Sequence, residues 1–461
     1  MIIVDNLWSV AVASGLLAIF INLLWVRFKE YKGRKAHGCG VIPSYPQWDR
    51  ILGLDLALSQ MKALRGDTFI SWLAAIHEGQ PSTFKIRFLG KRQIYTTDTE
   101  NRKAMTAINW KDFGISPLRR STKAFHPFAD KGVNTVDGDD WVFSHFLIKP
   151  FFNRDFYMNT DRIRPYVESL FTLLLPDGET FNIQPLLQRW FLDLTTDFIL
   201  GEPVGVLHQP DKARITWAML DVLRGSRQRM QVAVYEVHAF VDTHITETYK
   251  EIRIRKGHIV AGEKLSLLLV PNNDTTSIFI SNTLWHLVRH PDAWARCREE
   301  VLTAVQGDDD EAVGKLTFSA LRGIKFLNAF RICLNDTTLL RGGGKDGQDP
   351  ILVCKGDMVQ VTKISQQRNR IYWGEDTDDF RPERFLALKP FWEFVPFSGG
   401  PRRCPAQMMV MTESAYMLAR LVMRYERIES RDANPYHAIM RIRPSNKTGV
   451  LVAFHKAQEG N

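Results

Sequence analysis

Phe397-Ser398-Gly399-Gly400-Pro401-Arg402-Arg403-Cys404-Pro405-Ala406, residues 397–406, is the stretch on which the reading of this chain turns. It sets two glycines, two arginines and one cysteine immediately before a helical pattern that starts near Gln407. A cysteine binds metal as the thiolate, and a thiolate is kept deprotonated by nearby cations and by backbone N–H groups aimed at sulfur. Gly399 and Gly400 permit the tight turn this requires. Arg402 is placed to reach an anionic group, and Phe397 can pack beside the sulfur and shield it from water. The alternative is an inert, buried thiol, the usual state of a free cysteine.

Working outward, the chain is 461 residues long, and its 45% hydrophobic content is ample for a large buried core. Twelve Trp and 28 Phe fit a large apolar cavity and a thick ordinary core equally well. The net charge of +9 comes from scattered Lys and Arg rather than from one tract or one aromatic-interleaved face, which argues against a nucleic-acid partner. The five cysteines, Cys39, Cys297, Cys333, Cys354 and Cys404, form no CxxC pair and no zinc-like spacing. Their odd number fits reduced thiols in a body facing the cytosol.

From Leu7 to Trp25 the chain carries no charge, and as a helix this run of about 19 residues reaches roughly 28 Å, nearly the thickness of a bilayer core. Asp5 precedes it, and Arg27, Lys29, Lys32, Arg34 and Lys35 follow it. That order disfavours a cleaved signal peptide and, by the positive-inside rule, puts the rest of the chain in the cytosol. A buried core helix is the other reading of the run. Residues 1–27 are therefore expected to be a membrane anchor, residues 28–46 a basic, Pro- and Gly-bearing stiff linker, and residues 47–461 one large domain. Within it, Thr83 to Thr97 (TFKIRFLGKRQIYTT) alternates apolar and polar residues around Leu89-Gly90, the pattern of a hairpin. Phe181–Leu200, Ala213–Lys256 and Ser281–Val305 show the helical period, with His290-Pro291 dividing two helices, and short strands close the chain from Tyr436 to His455. The expected fold is mainly α with a minor β region.

The 397–406 stretch resembles the haem-binding loop of the cytochrome P450 family, FxxGxRxCxG. Phe397, Gly400, Arg402 and Cys404 match it, and Ala406 stands at the last glycine. Phe380-Arg381-Pro382-Glu383-Arg384-Phe385 resembles the family's PERF motif. Trp141-Val142-Phe143-Ser144-His145 is similar to its WxxxR helix, with His145 in place of the arginine. GVNTVDGDDW, RHPDAWARCREEV and YWGEDTDDFRPERF give the closest likeness, to fungal microsomal enzymes related to alkane and fatty-acid hydroxylases. The resemblance implies a P450 fold around one haem b, with Cys404 as the axial iron ligand and Trp141, His145 and Arg402 as haem-propionate partners. It also implies an endoplasmic-reticulum protein that takes electrons from a membrane-bound NADPH reductase. The implied reaction inserts one oxygen atom into an apolar substrate such as a lipid, an alkane or a secondary-metabolite intermediate.

The chain also departs from the family pattern. The oxygen-helix motif (A/G)Gx(D/E)T(T/S) is met by Pro271-Asn272-Asn273-Asp274-Thr275-Thr276. Asp274 and Thr275 keep the acid and alcohol of the family's proton relay, although Asp-Thr-Thr also caps ordinary helices. Pro271 and Asn272 replace the small residues. The ExxR motif has no match: Asn335-Asp336-Thr337-Thr338-Leu339 supplies an acid and no arginine, and Asp336 to Gly344 fits a later strand and turn better. About twenty residues including ExxR are then absent, and Arg384 loses its expected partner in a buried ion network. The readings that follow are an active monooxygenase, a degenerate family member with weak or no activity, and a haem enzyme that isomerises or dehydrates without external electrons, which would explain Pro271 and Asn272 but has no positive signal.

Overall fold

The alternation from Thr83 to Thr97 folds as an antiparallel hairpin, β1 (Thr83–Phe88) and β2 (Lys91–Thr96), in register from Thr83 opposite Thr96 to Phe88 opposite Lys91. Leu89 and Gly90 both take positive φ, 47° and 75°, the turn whose twist matches that of the flanking strands. The hairpin forms one edge of a five-stranded sheet ordered β1-β2-β8-β5-β3, completed by β3 (Phe113–Ile115), β5 (Phe330–Cys333) and β8 (Met358–Val361). In this computed structural model the described residues are 14, 15, 17, 21, 24–115, 132–213, 274–316, 330–333, 335–387, 391–440 and 444–456.

Helices fill most of the remainder. Those used below are α1 (Leu54–Arg65), α2 (Phe69–Ala75), α3 (Thr99–Lys103), α4 (Gly138–Ile148), α5 (Arg164–Phe171), α6 (Ile183–Leu200), α7 (Thr275–Leu287), α8 (Pro291–Val305), α9 (Lys363–Gln366) and α10 (Gln407–Arg424). The run read from the sequence as helix from Phe181 begins instead as a two-residue strand, β4 (Phe181–Asn182). Asn182 then caps α6 by accepting the Gln184 N–H at 3.2 Å. Gly201, at φ 84°, ends α6 in the left-handed region that glycine adopts without steric cost. His290-Pro291 divides α7 from α8 as expected, with Pro291 at the first helical position, where its missing N–H costs nothing.

The main core lies between α5, α6, α7, α8 and α10, around Trp190, Leu284, Trp294, Met417 and Leu421. Burying side chains of this size contributes about 2 kcal/mol each. Helix α10 is buried along almost its whole length and packs against both α7 and α8, so it is the element to which the others are referred. The chain's last strand, β12 (Leu451–His455), pairs with β4 and with β9 (Arg427–Ser430), which ties the end of the chain to the start of α6. Two hairpins stand apart: β6 (Thr337–Gly343) with β7 (Asp349–Val353), and β10 (Ala438–Met440) with β11 (Pro444–Asn446). The first realises the strand-and-turn reading of Asp336 to Gly344.

Residues 28–46 are laid along the body. Glu30 pairs with Arg92 at 2.8 Å and Lys85 at 3.6 Å, the Gly40 N–H donates to the Pro350 carbonyl at 2.8 Å, and Ile42 is buried among Ile94, Leu339 and Val359. Of the Leu7–Trp25 run only residues 14, 15, 17, 21, 24 and 25 are described, and they are helical, continuous from 24 to 36. Among the described residues no helix is long and apolar enough to cross a membrane, so the expected transmembrane span lies largely outside them. The helical reading of Ala213–Lys256 falls outside the described residues beyond Ala213, which ends a short 3-10 turn.

Candidate active site

Cys404 sits three residues before the first residue of α10, in a loop that closes on itself: its N–H donates to the Phe397 carbonyl at 3.0 Å. The first amides of a helix have no partner within it, so this position suits a group that carries negative charge. Phe397, Ala406, Met409, Val410 and Met411 form an apolar cluster against which Cys404 is half-buried. The turn needs its glycines. Gly400 has φ 69°, and a Cβ there would overlap the Thr106 carbonyl, while a Cβ on Gly399 would strike the Trp392 ring. Ser398 takes φ 65° with a side chain in place, a conformation rare outside glycine.

Trp141, His145 and Arg402, expected together around a propionate, do come together. The Arg402 guanidinium lies 4.6 Å from the Trp141 ring centroid, and the His145 ring stacks on Trp141 at 5.0 Å. Arg402 also has an acidic partner that sequence reasoning missed. It donates to Asp137 at 2.6 Å and to the Val136 carbonyl at 3.1 Å, with both charged side chains about one-tenth exposed. Asp137 in turn accepts the Ile115 N–H at 3.0 Å, which fixes the entry to α4 against β3. Asp137 belongs to a run of acids before Trp141, and no spacing rule singles it out from Asp139 or Asp140. Burial, with Lys149 and Arg402 nearby, lowers the His145 pKa from its usual value, which disfavours the cation that an arginine would supply at this place.

Asp274 and Thr275 lie at the start of α7. Asp274 is buried and sits at the cap position, but its side chain makes no cap hydrogen bond; its backbone carbonyl instead accepts the Ile278 N–H and the Ser277 hydroxyl, both at 2.9 Å. The helix-cap reading of this carboxylate therefore does not hold. Pro271 and Asn272 lie outside the described residues. Helix α7 packs against α10, whose Glu413 is fully buried and takes the Arg162 guanidinium at 2.7 Å. Burial raises the Glu413 pKa even with that cation beside it.

Arg384 is not left without an acceptor. It donates to the carbonyls of Trp373 at 2.9 Å and Asp376 at 2.8 Å and lies 3.5 Å from the Asp376 carboxylate. Asp336, the nearest acid to the missing ExxR by sequence, instead pairs with Lys29 at 3.7 Å and accepts the Lys355 N–H at 2.7 Å. Arg384, the residue that the sequence led us to expect as an orphan, thus has partners, supplied mainly by the main chain, which no side-chain motif announces.

A half-buried thiol before a helix, an apolar wall and an arginine lying over a tryptophan ring are what a haem-thiolate site requires of the chain. Its donors fit the group: one sulfur for iron, with cationic and N–H donors for carboxylates. Residues 264–448 match the Cytochrome P450 family. The chain is 50% identical to Cytochrome P450 monooxygenase iliC of Neonectria sp. over 99% of both chains. It is 51% identical to Cytochrome P450 monooxygenase opdE of Penicillium oxalicum over 91% of this chain and 98% of that one. It is 28% identical to Cytochrome P450 52A13 of Debaryomyces hansenii over 93% of both. The chain belongs to the cytochrome P450 family of haem-dependent monooxygenases, whose iron is held by a cysteine thiolate. The alignment with the Neonectria protein spans 509 residues against the 461 of this chain, so that relative carries stretches with no counterpart here.

Proposed function

We propose that this chain inserts one oxygen atom from dioxygen into an apolar small molecule, using electrons from an NADPH reductase, while anchored in a membrane by its first 27 residues. The observation that carries the reading is the Cys404 loop, held between Phe397 and α10 and flanked by the Trp141–Arg402 stack. Haem bound through Cys404 supplies the iron that activates dioxygen. Arg402 and Trp141 would hold its propionates, and His145 would add a ring N–H donor. Asp274 would hold a proton at its carboxyl group, and Thr275 would pass it on through its hydroxyl.

A lipid, an alkane or a secondary-metabolite intermediate suits this chemistry, since such substrates partition into the bilayer beside the anchor. The uncharged Leu7–Trp25 run and the basic residues after it support an orientation with the body on the cytosolic side, in the endoplasmic reticulum. Deleting Met1 to Arg27 is expected to release the protein on an alkaline wash with haem binding intact, and retention in the pellet would reject the anchor.

The absence of an ExxR arginine favours a second reading, a family member with weak or no activity: Leu339, which stands at that place in one alignment, is an interior residue of β6. Carbon-monoxide difference spectra and NADPH-dependent oxygen consumption with added reductase separate the two. The first reading requires a thiolate-type band and reductase-dependent uptake. A band without uptake, tried with a range of apolar substrates, supports the second.

A further inference from the structure

Arg102 is 2% exposed and is not paired with a carboxylate among the described residues. Its guanidinium donates to the Gln366 side-chain oxygen at 2.6 Å and to the Val395 carbonyl, two residues before Phe397 opens the Cys404 loop. Burial pulls its pKa down to about 10. Next to it Lys363, 3% exposed, donates to the Pro396 carbonyl at 3.4 Å. Two buried cations therefore grip consecutive carbonyls at the entrance of the loop. One turn further along the same helical segment, the Thr106 hydroxyl donates to the Arg102 carbonyl at 2.8 Å, and the Thr106 carbonyl abuts Gly400 inside the loop. The segment from α3 through residue 108 thus touches the loop at both ends of the Val395–Gly400 run. A buried guanidinium without an acid is costly, and main-chain carbonyls are the acceptors that offset that cost here.

We propose that Arg102, held by Gln366 and assisted by Lys363, is a positioning residue for the Cys404 ligand loop and supplies the lock that the missing Glu and Arg of ExxR provide in the family. The proposal rests on Cys404 as the haem ligand. Arg102 does not touch the sulfur; it fixes the backbone from which Phe397 shields it and to which the Cys404 N–H bonds.

The experiment compares wild type, Arg102→Met and Arg102→Lys in the full-length protein. Two readouts are used: the proportion of thiolate-type band in the reduced carbon-monoxide spectrum, and, in haem-stripped protein, the alkylation rate of Cys404 relative to exposed Cys297. Arg102→Met is expected to lose haem about tenfold faster, a usual cost of removing a partner that orients a metal ligand. It should also shift the spectrum toward the non-thiolate form and speed Cys404 alkylation. Arg102→Lys should restore part of each, because an ammonium reaches one of the two acceptors. A purely structural role would lower the melting midpoint and leave both readouts at wild type, and that result in folded Arg102→Met overturns the proposal. If Arg102→Met does not accumulate, Gln366→Met takes its place; it should move both readouts in the same direction by less, and unchanged readouts overturn the proposal. A wild-type chain with no thiolate band rejects the haem reading instead, and the alkylation comparison still decides Arg102.

Discussion

Replacing Cys404 by Ala is predicted to abolish the thiolate-type band, whereas Cys39, Cys297, Cys333 and Cys354 can each be changed without losing it. The difference lies in the surroundings. Burial raises the thiol pKa of Cys39 and Cys354, which disfavours their thiolates at neutral pH. Cys404 alone sits between a glycine turn and a helix start, with Arg402 two residues away. A retained band in Cys404→Ala would remove the central claim. The partner of Arg402 carries a second prediction at this scale. Asp137→Ala leaves a mostly buried guanidinium without its acid and removes an acceptor from the Ile115 N–H, a kind of break that costs about 3–5 kcal/mol. Urea titration of the haem-free protein checks it, since a bound propionate would itself accept from Arg402, and a loss below about 1 kcal/mol would mean that Arg402 finds another acceptor within the chain.

At the scale of elements, Gly400 ties two of them together. Gly400→Ala puts a Cβ into the Thr106 carbonyl at a φ of 69°, so the loop and the helical turn after α3 must move apart. Left-handed strain alone costs about 1–2 kcal/mol, and the overlap adds to it. The expected outcome is a lower melting midpoint and a smaller thiolate band together, and a variant that keeps both would show that the close approach is not needed. The glycines of this loop and the hairpin at Leu89-Gly90 were legible in the sequence because each is a short-range pattern with a backbone reason. Partnerships across the fold were not. Arg384 lost its expected partner on paper, yet the carbonyls of Trp373 and Asp376 receive it, and a main-chain acceptor leaves no trace in residue identity. The same holds for Arg102 and Val395, nearly three hundred residues apart in the chain. Asp274 shows the reverse case: its residue type fits a helix cap, and only the geometry removes that reading.

Across the whole molecule, buried titratable groups set the pH range of stability. His77, packed against Phe84 and Tyr95, and His286, packed against Trp285 and Phe380, are both pushed down to about 4 by burial. In the unfolded chain each returns to about 6.5, so between these values the unfolded state binds more protons and acid favours it. The stability they provide is whole above pH 6.5 and is lost as pH falls toward 4, by up to about 3 kcal/mol for each histidine. Glu413 works the other way: its raised folded pKa gives stability that is full below the ordinary carboxylate range and declines as pH rises through the folded value. The balance predicts a melting midpoint that falls between pH 7 and pH 5, and His77→Phe should flatten that slope because phenylalanine keeps the edge-on and tilted ring contacts with Phe84 and Tyr95 without a proton site. His286→Phe should do the same independently, since among the described residues the two histidines share no ring partner and their effects should add. Midpoints measured by calorimetry at half-unit steps for wild type and both variants decide it. A wild-type profile flat from pH 7 to pH 5, or variants as steep as wild type, would show that these rings do not stay neutral in the folded protein.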